Sequence, residues 1–533
     1  MNVASALTPL PVLIPVGGAA ATVFVGRHPR LQQVITTVTL TAVVAVCATL
    51  IYLTDRHGTI AVLVGGWGQA VPGLGPLGIA LVVDRLSALM MIVSSIVLLA
   101  VVLYAIGQGI RDRDERQPVS IFLPTYLVLA AGVCDAFLAG DLFNLFVGFE
   151  VLLSASFVLL TIGASADRVR AGIAYVMVSM VSSLIFLFGI ALVYATTGTL
   201  NMAELAARLD HVAPGTRSAL FAVLMVAFGI KAAVFPLSTW LPDSYPTAPA
   251  PITAVFAGLL TKVGVYAIIR AHSLLFPAGG LDNVLLVAAL LTMLIGALGA
   301  IAQSDIKRLL SFTLVSHIGY MVFGIALATR PGMSGAIYYV THHIIVQTTL
   351  FLVAGLIERQ AGASTLRRLG GLATASPLLA MLFLVPALNP GGIPPFSGFL
   401  GKVALLQAGA ASGSVLAWVL VVGGVTTSLL TLYVVTRVYS KAFWRPRVDA
   451  PEGALATASP AVLLDDPDDS NDRAALIDRR DVGRMPVGML VPTMALIAAG
   501  LTLTVMAGPI FSYADRAAAE VLDRHQYISA VER

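Results

Sequence analysis

Apolar runs of about 20 residues recur along almost the whole chain, separated by short polar breaks. That length suits a helix rising about 1.5 Å per residue across a hydrocarbon core about 30 Å thick. A membrane β-barrel would show short alternating segments instead. About fourteen runs are legible by this criterion. They lie near 4–26, 33–53, 80–107, 119–138, 141–163, 171–195, 218–241, 247–270, 282–302, 308–328, 335–357, 376–410, 414–436 and 486–508. The pattern predicts an all-α polytopic membrane protein with about 14 transmembrane helices.

Composition agrees: 58% of the 533 residues are hydrophobic and 11% charged, with a mean hydropathy of +0.91. So little polar surface cannot cover a soluble globule of this size. The chain begins directly in an apolar run holding Pro9, Pro11 and Pro15, without a charged leader region, so the first helix is expected to stay. Cys47 and Cys134 both fall within apolar spans, where neither a disulfide framework nor a tetrahedral metal site is expected. The formal charge of +4 requires no nucleic-acid partner.

Lys and Arg in the loops set the orientation, because the cytoplasmic side holds the excess. Loops after odd-numbered runs carry 20 basic residues, from Arg27 and Arg30 to Arg484, whereas the other side carries 8, among them Arg56, Arg208 and Arg330. Both termini are therefore expected outside. Residues 445–485 carry four prolines and the cluster Asp465, Asp466, Asp468, Asp469 and Asp472, with no apolar period, and read as a cytoplasmic linker. A calcium loop would need a Gly at its sixth position and a Glu at its twelfth, which this cluster lacks. The tail after Tyr513 is polar and suits a short amphipathic helix.

Four ionisable residues stand inside these runs: Glu150, Lys231, Lys262 and Lys402. A charge at the bilayer centre costs roughly 2.5–3.5 kcal/mol on insertion scales, so such residues are kept mostly where they face a polar interior and handle ions or protons. Glu150, in GDLFNLFVGFEVLL, sits about 14 Å beyond Asp141, near mid-membrane. The bland alternative is a structural hydrogen bond to a neighbouring helix, which a neutral Gln would make at less penalty. Lys231, in FGIKAAVFPLSTWLPD, precedes Pro236 and Pro242; LVPALNPGGIPPFSGFLGK places Pro390 and Pro394 before Lys402. Proline opens the helix backbone, which is tolerated at membrane depth only where it lines a cavity or is covered by protein. Two interrupted helices, each with a lysine near the break, in corresponding places of two halves are the pattern of inverted repeats.

Lys262, in TAVFAGLLTKVGVYAIIR, follows the first break. A buried lysine can release its proton and a nearby carboxylate can hold it on, whereas arginine never releases one. The alternative for Lys262 is a structurally paired charge. His317, in FTLVSHIGYM, and His342 with His343, in YYVTHHIIVQTTLFL, offer a relay. The alternative for His317 is a hydrogen-bonding packer, and one of the adjacent pair is expected to face the polar interior while the other packs. Neighbouring helix positions point about 100° apart and chelate one metal poorly, so no metal site is read here. No nucleophile triad, phosphate loop, haem motif or dinucleotide fingerprint stands out, and no cofactor is expected. Gly258, Gly264, Gly296 and Gly299 read as close helix contacts.

DLFNLFVGFE, GIKAAVFPLSTWLPD, QSDIKRLLSFTLVSHIGY and PPFSGFLGK, in this order across roughly 80–440, resemble the antiporter-like membrane subunits shared by respiratory complex I and the Mrp-type multisubunit sodium/proton antiporters. GDLFNLFVGFEVL and Lys402 are most similar to the D-type subunits of the Mrp assembly. The resemblance implies fourteen helices with two inverted five-helix repeats, about 119–270 and 282–436, within a membrane region 1–444. The linker 445–485 and a last helix with an outward-facing tail, 486–533, would follow. It also implies that Glu150 tunes Lys231, that Lys262 is the middle relay, that Lys402 is the exit residue, and that His317 with His342 or His343 bridges between them. Relatives commonly carry lysine where this chain has Gln347, so water or the histidines would have to carry that part of the connection.

The function implied is proton translocation within a hetero-oligomeric bacterial plasma-membrane antiporter, with protons and sodium as the exchanged ions. The rival is a proton-pumping subunit of a complex I-type oxidoreductase or a membrane-bound hydrogenase. A further alternative is a purely structural scaffold, for which Glu150 and Lys231 would be dispensable. Sodium prefers several oxygen ligands, and carboxylates are scarce within the spans, so the cation is expected to cross elsewhere in the assembly.

Overall fold

The computed structural model describes residues 3–66, 78–109, 120–162, 166–277, 279–452, 483 and 485–532. Most of the expected linker, 453–482, lies outside the described residues. Among those described, twelve helices are long and apolar enough to cross a membrane, and two shorter apolar helices, Phe122–Leu138 and Pro377–Gly391, lie in the fourth and twelfth runs. The chain is a multi-pass α-helical membrane protein.

Helices α1 (Val3–Leu7), α2 (Leu10–Phe24) and α3 (Pro29–His57) come first, followed by a small antiparallel hairpin of β1 (Ile60–Leu63) and β2 (Ala80–Val83) in register Ile60 to Val83. The membrane-span pattern does not reveal this hairpin, because four-residue strands carry too little periodicity. Helix α4 (Arg85–Gln108) leads into the first repeat: α5 (Phe122–Leu138), α6 (Leu142–Thr161), α7 (Ala166–Thr197), α8 (Met202–Arg208), α9 (Pro214–Ala232), α10 (Leu241–Ser244), α11 (Ala250–Val255) and α12 (Thr261–Arg270). A widened π turn, Phe256–Leu260, joins α11 to α12. The second repeat holds α13 (Asp282–Ala302), α14 (Ile306–Ala326), α15 (Arg330–Ala361), α16 (Leu372–Ala375), α17 (Pro377–Gly391), α18 (Ser397–Ala411) and α19 (Val415–Tyr439). Helices α20 (Val487–Val505), α21 (Ala507–Leu522) and α22 (Arg524–Glu532) close the chain.

Local chemistry marks the two repeats. Asp141 caps α6 through the Asn144 amide and Asp305 caps α14 through the Arg308 amide. The residues around each cap pair with a distant loop in the same way. Leu142 N donates to Leu200 O and Met202 N to Gly140 O; Ile306 N donates to Ser364 O and Leu366 N to Ser304 O. Five membrane crossings separate these two clasps, so they fall on opposite faces, as an inverted repeat requires. Small residues seat the first two helices of each repeat against each other. A Cβ on Gly148 would lie 2.9 Å from the Ala136 amide, and one on Gly319 would lie 2.7 Å from the Ala289 carbonyl. Gly258, Gly264, Gly296 and Gly299 also face close neighbours.

Both interrupted helices are the fourth of their repeats. The run expected over 218–241 is helical only to Ala232, and the run 376–410 is two helices with 392–396 between them. Ala233 (φ 58°) and Gly392 (φ 72°) turn the chain out of each helix. Pro236 and Pro394 lie within the breaks, while Pro390 occupies the last turn of α17. Protein groups meet the backbone atoms freed at these breaks. The Trp240 indole donates to Ile230 O (3.2 Å), Phe235 N donates to Thr292 Oγ1 (3.0 Å), and Ser397 N donates to Thr504 Oγ1 (3.0 Å).

Helix α15 is buried along its length, packed by α14, α17, α18, α20 and α21. The tail forms two helices rather than one. Helix α21 presents Glu520 to Arg85 (3.1 Å) and Thr59 (2.6 Å), and burial raises this carboxyl above the ordinary range. Arg270 pairs with Asp84 at 2.6 Å beneath the Tyr527 ring of α22.

Candidate functional site

Helix α6 carries Glu150 at its middle, α9 carries Lys231 in its last turn, and α7 passes between them with Ser183. The Ser183 hydroxyl donates to Glu150 Oε1 and accepts from Lys231 Nζ at 3.0 Å. Acid and amine are thus joined through one hydroxyl rather than in direct contact. Lys231 also lies over the Phe149 ring, 5.5 Å from its centroid. Glu150 and Lys231 are half-buried within this chain and Ser183 is buried. A cavity of about 20 Å³ adjoins Lys231, lined also by Tyr175, Ser179, Trp240, Tyr245 and Leu260. It has room for about one water. The Tyr245 hydroxyl is fully buried at its wall, without a hydrogen-bond partner among the described residues.

Lys262 follows the π turn by two residues and is fully buried; its Nζ donates to the Ala257 carbonyl at 2.6 Å. Widened turns of this type are frequent at functional sites. Lys262 makes no ion pair among the described residues.

The second half is a dense cluster. His317 Nδ1 meets the Tyr339 hydroxyl at 3.2 Å, and the His317 and His343 rings lie 5.2 Å apart. His342 Nδ1 meets Ser397 Oγ at 2.9 Å, and Ser397 donates to Asn389 Oδ1 at 3.1 Å. Lys402 Nζ donates to the Pro390 carbonyl (2.6 Å) and to Ser428 Oγ (3.1 Å), over the Tyr320 ring at 4.9 Å. The lysines stand on opposite sides of their breaks, Lys231 before and Lys402 after. The Lys402 amine sits at the carbonyl end of α17, where the helix dipole favours a cation, and Lys231 belongs to the last turn of α9. His342 hydrogen-bonds Ser397, whereas His343 packs against the His317 and Tyr339 rings with no hydrogen bond among the described residues.

The second nitrogens of His317 and His342, and both of His343, have no hydrogen-bond partner among the described residues. Buried imidazoles in this state match water or each other as proton partners. Gln347 is buried and its amide donates to Leu310 O at 2.9 Å. The structure therefore groups Glu150 with Lys231, and His317, His342 and His343 with Lys402, with Lys262 between the groups. The side-chain set holds no cluster suited to a metal ion among the described residues. Sequence reasoning missed Ser183, Tyr245, Tyr339, Ser397 and Ser428. Hydroxyls inside apolar runs are common, and nothing in their spacing tells a bridge from a backbone hydrogen bond.

A broken-helix bundle with acid, amine and imidazole groups strung through its interior defines a class of ion-handling membrane subunit. The chain belongs to the NADH:quinone oxidoreductase/Mrp antiporter transmembrane family, whose model matches residues 139–431. It is 37% identical over 525 residues to the D-type Na(+)/H(+) antiporter subunit of Alkalihalophilus pseudofirmus, covering 98% of each chain. It is 32% identical to the D-type Na(+)/H(+) antiporter subunit of Bacillus subtilis over the same length, again covering 98% of each. A chain in the structure of the Mrp complex from Dietzia superposes with a TM-score of 0.86 at 33% identity over 100% of both. A chain of respiratory complex I from Thermus thermophilus shares the fold, with a TM-score of 0.76 at 24% identity over 96% of this chain and 99% of that one.

Proposed function

We propose that this chain is the proton-translocating subunit of a multisubunit sodium/proton antiporter, working within a hetero-oligomeric assembly in the bacterial plasma membrane. Its arginine-rich loops face the cytoplasm and both termini lie outside. Residues about 119–270 and 282–436 act as two half-channel units, joined by the mid-membrane row. The observation that carries the reading is the succession Glu150, Ser183, Lys231, the Tyr245 cavity, Lys262, the three histidines and Lys402.

Protonation of Glu150 weakens the field that holds the proton on Lys231, because the two share Ser183. Lys231 then gives its proton toward the cavity wall, and the change in charge passes to Lys262. From there it reaches the imidazoles and finally Lys402, which is held at the broken end of α17.

The test is sodium-dependent proton exchange in everted vesicles carrying the whole assembly. Lys231→Ala and Glu150→Gln should each lower the rate by about a hundredfold, in the range of a lost acid–base group. Unchanged exchange in both, with the complex intact, would leave only a structural scaffold.

A further inference from the structure

A polar recess lies away from the row, on the face that carries the arginine-rich loops. It encloses about 340 Å³ between Pro242–Thr247, Asp305–Arg308 and Ser364–Arg368, with Glu452 as the wall contributed by the start of the linker. Its rim charges are committed to one another. Arg308 pairs with Asp243 at 2.7 Å, and Glu452 pairs with Arg367 at 2.7 Å and Arg368 at 3.2 Å. Asp305 caps α14 and accepts the Ser364 hydroxyl.

The floor differs. There Lys307 and Glu358, 5% and 6% exposed, form an ion pair at 2.9 Å. Among the described residues, Arg168 of α7, Tyr104 of α4 and the adjacent Arg359 are charged or titratable neighbours of this pair. An acid and an amine at the bottom of a wet recess are the same chemical couple as Glu150 and Lys231.

Polar groups step inward from this floor along the α14–α15 seam. The Ser311 hydroxyl donates to the Lys307 carbonyl at 2.9 Å, and the Gln347 amide donates to the Leu310 carbonyl at 2.9 Å. Gln347 stands one turn from His343, whose two nitrogens have no partner among the described residues. The distance to cover is modest, since Lys307 and His317 lie ten residues apart on α14, about 15 Å.

The geometry points to the recess as a proton-exchange mouth of the row. Lys307–Glu358 is its floor couple, and Ser311 and Gln347 lead from it to His343. The inference rests on the proposed function, and it gives Gln347 a place in a vertical branch rather than in the horizontal row.

Two measurements test it. First, in a background lacking Cys47 and Cys134, Thr365→Cys should react with a membrane-impermeant thiol reagent only from the face that labels Arg30→Cys. No labelling, or labelling from the opposite face, overturns the mouth whatever the transport rate. Second, in the whole assembly, Glu358→Gln and Gln347→Leu should each lower exchange by at least fivefold and displace its pH profile, while Glu358→Asp should restore both. If Glu150→Gln abolishes exchange but these variants leave rate and pH profile unchanged, the mouth is wrong and the row stands. If Glu150→Gln is also without effect, the row itself fails. Should Glu358→Gln not assemble, Gln347→Leu and the thiol labelling decide alone.

Discussion

At the scale of single residues, the central feature is that Glu150 and Lys231 share the Ser183 hydroxyl. The hydroxyl between them ties the acid to the amine without direct contact, so each side chain meets the other's charge through one shared group. Removing this bridge forfeits two hydrogen bonds to charged groups, each worth about 1.5–3 kcal/mol. Ser183→Ala should therefore slow sodium-dependent exchange by about tenfold or more in assembled complexes. Ser183→Thr, which keeps the hydroxyl, should keep most of the rate. Glu150, Lys231, Lys262 and Lys402 were legible as charges within membrane spans because apolar surroundings make any ionisable residue conspicuous. Ser183 was not, since a serine in an apolar helix usually bonds its own backbone.

At the scale of elements, the two broken helices organise the site. Each ends in a left-handed residue, and each has its exposed backbone atoms met by side chains from other helices. Gly392 is the more constrained position. Its φ of 72° disfavours a side chain, and a Cβ there would come within 2.7 Å of Ser428 Oγ and 3.2 Å of Lys402 Cδ. Gly392→Ala adds a left-handed penalty of roughly 1–2 kcal/mol and pushes on the lysine. The expected result is a lower thermal midpoint of the solubilised complex together with reduced exchange, whereas Gly413→Ala, also at positive φ but with open space around it, should affect midpoint alone. Proline placement announced both breaks in the sequence. What it did not announce was that α9 stops at Ala232 and that the second break resumes as a separate helix at Ser397, because a helix terminus is set by which neighbours can satisfy its backbone.

For the whole molecule, two repeats, clasped by matching backbone pairs on opposite faces, place their broken helices within one bundle around α15. A proton-translocating subunit built this way serves either a cation exchanger or a redox pump, and copurification separates the two. The intact assembly is expected to contain small hydrophobic subunits and to show no flavin or iron–sulfur absorbance; metal analysis and visible spectroscopy of the purified complex check this. Iron–sulfur centres in stoichiometric amount would assign the chain to a respiratory enzyme instead.

The sequence by itself determined the membrane class, the approximate positions of the spans, the charged residues that must be sheltered, and the two places where helices break. These follow from local quantities: hydropathy over a membrane thickness, the cost of burying charge, and the missing amide of proline. Tertiary structure alone decided which of those groups meet, from the Ser183 bridge and the pairing of His317 with His343 to the recess floored by Lys307 and Glu358. A residue's hydropathy is set by its own chemistry, but its partner depends on how each helix is rotated and seated, and that is fixed only when all the helices pack together.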